Sequence, residues 1–273
     1  MPHLATIVLA ALAVMAFAGN SLLARAALAD GQIEPGSFTA IRLAAGAVVP
    51  LPWLLRGARE RPNWRGSLAL FVYCAAFSFA YVELNAATGA MVLFAAVQIT
   101  ILAASFLSAH RIRALDIAGV VLAMAGMAVL LGARATPGPI IAMLSMIVAG
   151  VAWGIYSVMG RSTVDPARRT AGNFLLAALF SAPLPLLDTG HAITASGTVL
   201  AIASGAITSG LGYVVWYSVV PRLPQATVGA AQLATPVVAA LAAAVLLSEP
   251  LTWRLALAAL LIIGGIAATL RRA

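Results

Sequence analysis

The chain reads as an all-α membrane protein: ten transmembrane helices arranged as two inverted five-helix repeats around a central cavity. Three observations predict this: a composition too apolar for a soluble domain, ten apolar runs of spanning length, and short motifs that recur in order between the halves. Hydrophobic residues make up 63% of the 273 residues and charged ones 9%, with a mean hydropathy of +1.03. A soluble domain carries about 25% charged residues and about half apolar ones. Spans needing about 20 residues each consume the whole length and leave no sizeable soluble part.

The first run, 4–24, has no basic segment before it and continues as a full-length span, so it is read as retained and not as a cleaved signal. The second, 37–55, closes on Pro50-Leu-Pro-Trp-Leu-Leu55. Proline removes a backbone donor and clashes with the preceding turn, so this pair ends or kinks the helix. Runs 66–86, 88–109 and 115–133 complete the first half, 1–135. The second half, 136–273, holds 138–160, 170–187, 195–220, 225–247 and 252–270. Continuous apolar stretches such as 239–247 lack the alternation that a membrane β-barrel strand needs.

The net charge of +8 would suggest nucleic acid in a soluble protein, yet all sixteen basic residues are arginines and most lie between apolar runs. With the N-terminus cytoplasmic, the cytoplasmic side collects Arg56, Arg59, Arg61, Arg65, Arg111, Arg113, Arg161, Arg168, Arg169, Arg222, Arg271 and Arg272. The other side has Arg25, Arg134 and Arg254, and Arg42 lies inside a span. Twelve against three places both termini in the cytoplasm, with lipid and not nucleic acid as the partner; the expected location is a bacterial inner membrane. The single cysteine, Cys74, excludes a disulfide framework and a cysteine metal site, and no cofactor is implied.

The repeat is visible in matched residues. Pro50-Leu-Pro returns as Pro183-Leu-Pro at the end of the seventh run. Thr88 matches Thr227, Leu102-Ala-Ala matches Leu241-Ala-Ala, and Gly126 matches Gly265 at one constant offset. Phe17, Ser21 and Arg25 match Trp153, Ser157 and Arg161 at another. Five spans per repeat is an odd number, so the second half enters the membrane upside down, which puts a substrate site near the midplane between the halves.

Leu211-Gly-Tyr-Val-Val-Trp-Tyr217, Gln232-Leu-Ala-Thr-Pro236, Leu246-Leu-Ser-Glu-Pro-Leu-Thr252 and Gly264-Gly265 together resemble the EamA-type branch of the drug/metabolite transporter superfamily. The resemblance covers the whole chain. The first half departs from it, with Val97 and His110 where the second half has Pro236 and Glu249. It implies a cavity lined by the first, third, fourth, sixth, eighth and ninth helices, in proteins that commonly export amino acids and related metabolites.

Polar groups inside the hydrocarbon are costly and tend to face partners or a water-filled cavity. Gln98 lies near the middle of its run and is the first candidate substrate ligand, unless its amide joins neighbouring helices. Cys74, Ser78, Tyr81 and Asn85 follow one another at helical spacing and form a stripe on the third helix. Ser209, Tyr213 and Trp216 form a second stripe on the eighth, and Trp153 with Tyr156 a third on the sixth. Asn20 and Gln232 complete the set. Tyr217 reads as an interfacial belt residue. Arg42, about 9 Å into its span at 1.5 Å per residue, is read as snorkelling outward to pair with Glu34 or Glu83 ahead of binding a substrate carboxylate. Glu249 before Pro250 reads as a helix start. Small residues Gly119, Ala123 and Gly126, and Gly264 and Gly265, suit close helix contact within the chain or in a homodimer.

The leading function is a secondary transporter exporting or exchanging a small organic metabolite, an amino acid first, by alternating access. All eight acids fall at span ends or in loops, which favours exchange or facilitated movement over proton coupling. An intramembrane enzyme would need a nucleophile and base or metal ligands in the bundle, whereas His3, His110 and His191 all lie near ends or loops. A structural membrane partner without transport activity is the third class.

Overall fold

The computed structural model describes residues 4–52, 63–107, 113–132, 136–160, 165–190, 193–238, 241 and 252–270. Among them every regular element is helical. In chain order these are α1 (Leu4–Leu28), α2 (Pro35–Val48), α3 (Trp64–Glu83), α4 (Ala86–Leu107), α5 (Ala114–Leu131), α6 (Ile140–Met159), α7 (Pro166–Ser181), α8 (Ala195–Arg222), α9 (Gln225–Gln232) and α10 (Trp253–Leu270). A short 3-10 turn, Leu184–Leu187, extends α7. Eight of the helices are long and apolar enough to cross a membrane, while α2 with 14 residues and α9 with 8 are shorter. Large side chains such as Leu107, Ile141 and Leu260 stand exposed around the bundle, which suits hydrocarbon and not water.

Most boundaries follow the apolar runs, and two differ for local reasons. The second run was expected to reach residue 55, but α2 stops at Val48, two residues before Pro50: Val49 keeps helical dihedrals, and Pro50 has no backbone N–H to carry the hydrogen-bond ladder on. The seventh was expected from residue 170, but α7 begins at Pro166: Asp165 caps it by accepting from the Arg168 backbone N–H, and proline suits the first turn. The ninth run breaks at Leu233 and Ala234 just before Pro236 and is helical again over 235–238; residues 239–240 and 242–247, with His110, His191 and Glu249, lie outside the described residues.

Hydrogen bonds fix which helix ends share a face. Asp188, beyond the end of α7, accepts from the backbone N–H groups of Gly36 (2.9 Å) and Ser37 (2.8 Å) and from the Ser37 hydroxyl (2.6 Å) at the start of α2. A carboxylate there satisfies orphan donors and complements the helix dipole. The α2 helix therefore starts where α7 ends, and the two run antiparallel. Glu34 lies against the backbone N–H and hydroxyl of Thr189, and Thr194, capping α8, bonds the Gln32 carbonyl, so the start of α8 is on this face too. At the end of α1, Arg25 donates to the Tyr81 carbonyl near the end of α3 (2.9 Å).

The packing comes in matched pairs: α1 lies on α8 and α6 on α3, while α2 lies on α8 and α7 on α3. The last helices of the two matched sets, α5 and α10, meet along small residues. Gly119 faces Gly265 and Thr269, and Gly126 faces Ala258 and Ile262, so this pair is antiparallel as well. The small faces of α5 and α10 are thus spent on each other.

Candidate substrate site

The centre of the bundle is built from rings. Tyr73, Phe77 and Tyr81 repeat every four residues down one face of α3, and all three are buried. Tyr73 is the tenth of the twenty residues of α3, which puts its ring at the middle of the span. Trp153 of α6 lies 4.9 Å from the Tyr73 ring and 4.8 Å from that of Tyr213 on α8, centroid to centroid. Phe17 of α1 meets Trp153, Tyr213 and Trp216 edge-on at 5.4–5.9 Å, a favoured aromatic arrangement. Tyr156 continues the cluster toward Tyr217 at 5.3 Å. The belt role expected for Tyr217 is corrected here: it is 3% exposed and sealed inside the bundle against Tyr156 and Gly160.

Polar side chains thread this cluster. Asn20 of α1 donates to the Tyr73 hydroxyl (3.5 Å) and accepts from the hydroxyls of Ser204 (2.7 Å) and Thr208 (3.4 Å) on α8. The Trp153 indole N–H donates to Gln232 Oε1 (2.5 Å), joining α6 to α9. Gln98 donates from Nε2 to the Gly229 carbonyl (2.6 Å), while its buried Oε1 has no partner among the described residues. Ser78 accepts from Thr39 Oγ1 (2.9 Å) and donates to the Cys74 carbonyl, so it ties α3 to α2. Asn85 sits apart at the α3–α4 junction, where it accepts from the Thr88 N–H (2.8 Å) and donates to the Thr136 hydroxyl (2.6 Å). Of the ten predicted ligands, Asn20, Tyr81, Trp153, Tyr156, Tyr213 and Trp216 join the ring cluster, and Gln232 is bonded to it. Gln98 and Ser78 join helices beside it, and Asn85 is at a helix end.

Arg42 was placed wrongly by the sequence as well. It neither snorkels nor meets Glu34 or Glu83; it is 0% exposed and projects into the core. The cause is the close approach of α2 to α8. A Cβ on Gly205 would overlap the Arg42 carbonyl oxygen, so only glycine lets the two backbones lie this near. Here α8 widens into a π-helical stretch, Ser204–Leu211, which brings Ser209 and then Tyr213 onto the guanidinium. Arg42 Nε donates to Ser209 Oγ (3.1 Å), and Nη2 donates to the hydroxyls of Tyr73 (3.4 Å) and Tyr213 (3.3 Å). The rings of Tyr73 and Phe77 lie 5.3 and 5.2 Å from its central carbon, within cation–π range. Tyr73 was missed as well, although the spacing of Tyr73, Phe77 and Tyr81 is a legible signal. Beside these rings is a small cavity of about 20 Å³, room for about one water, lined among others by Asn20, Tyr73, Phe77 and Trp153.

Apolar helices of spanning length packed around a ring-lined, polar middle define an integral membrane protein. The chain belongs to the EamA-like transporter family, whose model matches it twice, over residues 4–132 and 140–271. It is a membrane transporter. An uncharacterized protein of Pseudomonas aeruginosa, PA1977, is 48% identical over 274 aligned residues, covering 98% of this chain and 95% of that one. The aromatic amino acid exporter YddG of Ancylobacter novellus is 29% identical over 262 residues, covering 90% and 91%. A protein of known crystal structure superposes with a TM-score of 0.82 at 26% identity, over 98% of this chain and 99% of that one.

Proposed function

We propose that the protein is a secondary carrier that exports or exchanges a small organic metabolite, an amino acid with an apolar or aromatic side chain first, by alternating access. The observation that carries this reading is the ring-and-amide cluster at mid-span, to which α1, α3, α6, α8 and α9 all contribute. Rings offer an amino-acid side chain apolar area, and hydroxyl, amide and indole groups offer orientation. The exporter of aromatic amino acids among its relatives supports the same substrate class. Gln98, Tyr81, Asn20, Ser78, Asn85, Trp153, Tyr156, Tyr213, Trp216 and Gln232 are the proposed substrate-contacting set, with Asn85 the outermost.

The halves 1–135 and 136–273 act as inverted repeats of five spans in this reading. Support comes from α2 with α7 and α5 with α10: each pair matches in sequence order, and each runs antiparallel. Rocking one half against the other exposes the cluster to either side in turn. At about 20 Å³ the cavity is too small for an amino acid, so the helices around it must part. The arginine asymmetry supports an inner-membrane location with both termini cytoplasmic.

Proteoliposomes preloaded with unlabelled L-phenylalanine should take up radiolabelled L-phenylalanine faster than empty ones. Equal rates with protein-free vesicles across a panel of amino acids, amines and organic acids would sink the transport reading. In a Cys74→Ser background, Arg168→Cys should react only with a thiol reagent admitted to the cytoplasm, and His191→Cys with one applied outside. Both reacting from the same side would refute the inverted topology.

A further inference from the structure

A guanidinium at mid-span with no acid beside it is costly, by several kcal/mol in any account of buried charge. Each acidic residue among the described ones is engaged elsewhere or exposed. Asp188 holds the start of α2, Glu34 meets Thr189, Asp116 pairs with Arg113, and Asp165 caps α7. Asp30 and Glu83 are exposed. Arg42 donates to three hydroxyls, lies against two rings and has the buried Cys74 thiol nearby, and among the described residues Nη1 has no hydrogen-bond partner. The two rings that carry the guanidinium also wall the small cavity. A guanidinium presents donors as a planar fork that matches a carboxylate with two parallel hydrogen bonds, and the hydroxyl contacts on Nη2, at 3.3–3.4 Å, are long enough to yield to one.

We propose that Arg42 is the anion anchor of the transport site, taking the carboxylate of the substrate on Nη1 and Nη2. This rests on the carrier reading above and narrows it to organic carboxylates with an apolar or aromatic remainder. The substrate supplies the negative charge that the described protein residues withhold, so the loaded centre is better compensated than the empty one.

The test is binding, read as thermal stabilisation of the purified full-length protein in detergent. The probes are acid and amide pairs: L-phenylalanine with L-phenylalaninamide, L-leucine with L-leucinamide, and 3-phenylpropionate with 3-phenylpropanamide, alongside sodium chloride. At least one acid should stabilise, with its amide weaker by about 100-fold, the size of effect seen when one partner of a buried charge pair is lost. Arg42→Gln should bring acid and amide level, whereas Arg42→Lys should keep the preference with weaker binding, since it retains the charge and loses the fork. Equal binding of acid and amide by the native protein, an acid preference that survives Arg42→Gln, stabilisation by chloride alone, or no response to any acid would each overturn the anchor. If Arg42→Gln does not accumulate, the native acid-to-amide ratio and Arg42→Lys decide. Vesicle uptake of an amine or uncharged compound, with no acid bound, would overturn the anchor while leaving the carrier reading intact.

Discussion

At the α5–α10 contact backbone lies on backbone: Gly119 and Gly265 each stand where any Cβ would strike the carbonyl of the other. At the centre, where α2, α3, α6 and α8 meet, contact is made by the tips of long side chains, by rings, hydroxyls and one guanidinium. The first contact excludes everything between the helices and has one arrangement. The second touches through groups that rotate about several bonds and leaves about 20 Å³ between them. A carrier needs both, a seam that keeps its geometry and a centre whose contacts can be exchanged for those of a substrate.

Substitutions that separate stability from transport test this contrast. Gly119→Leu has the largest expected effect, because even its Cβ would lie 2.6 Å from the Gly265 carbonyl oxygen. Overpacking of this kind costs about 3 kcal/mol, read as a lowered unfolding midpoint in detergent. The ratio of acid to amide binding in the surviving folded fraction should not change. A Gly119→Leu protein of native stability would mean the seam opens freely, and the contrast would fail.

Gln98→Leu stands between the two regions. The Gln98 amide donates to the Gly229 carbonyl and joins α4 to α9, but its buried carbonyl oxygen has no partner among the described residues. Loss of one interhelical bond should cost about 0.6 kcal/mol. Transport should fall by about tenfold, more than that stability loss explains, because the free Oε1 goes with it. Parallel loss of the two would make Gln98 a packing residue. The smallest expected loss of stability is that of Arg42→Gln, which should leave the unfolding midpoint level with the native protein or above it, since exchanging a buried charge for a neutral group is often neutral or favourable. A large destabilisation there would move Arg42 from the exchangeable centre to the rigid frame.

The helices were legible in the sequence because apolar run length is a direct readout of bilayer thickness; the run expected over 115–133 is α5, Ala114–Leu131, and that over 252–270 is α10, Trp253–Leu270. Their ends were less so, since Arg168 and Arg169 look like loop yet form the first turn of a capped helix. Much of the ring cluster was legible too: Trp153 and Tyr213 were singled out for depth and polar handles, and they lie together. Arg42 was not. Depth along its own helix suggested an outward-reaching side chain, and nothing in that segment shows that Gly205, far away in sequence, lets α8 press close enough to turn it inward. Asn85 illustrates the converse: its spacing continues the α3 stripe, but α3 ends at Glu83 and the stripe ends with it.

The α5–α10 seam also orders the protein in time. Its two strips, around Gly119 to Gly126 and Ala258 to Thr269, are separated by nearly half the chain, and the helices carrying them are the last of their halves. A ribosome delivers the α5 strip to the bilayer long before the α10 strip exists, so during synthesis the glycines face lipid or transient neighbours. The seam closes only after residue 269 has been made and inserted, which makes α10 the clasp that joins the two halves.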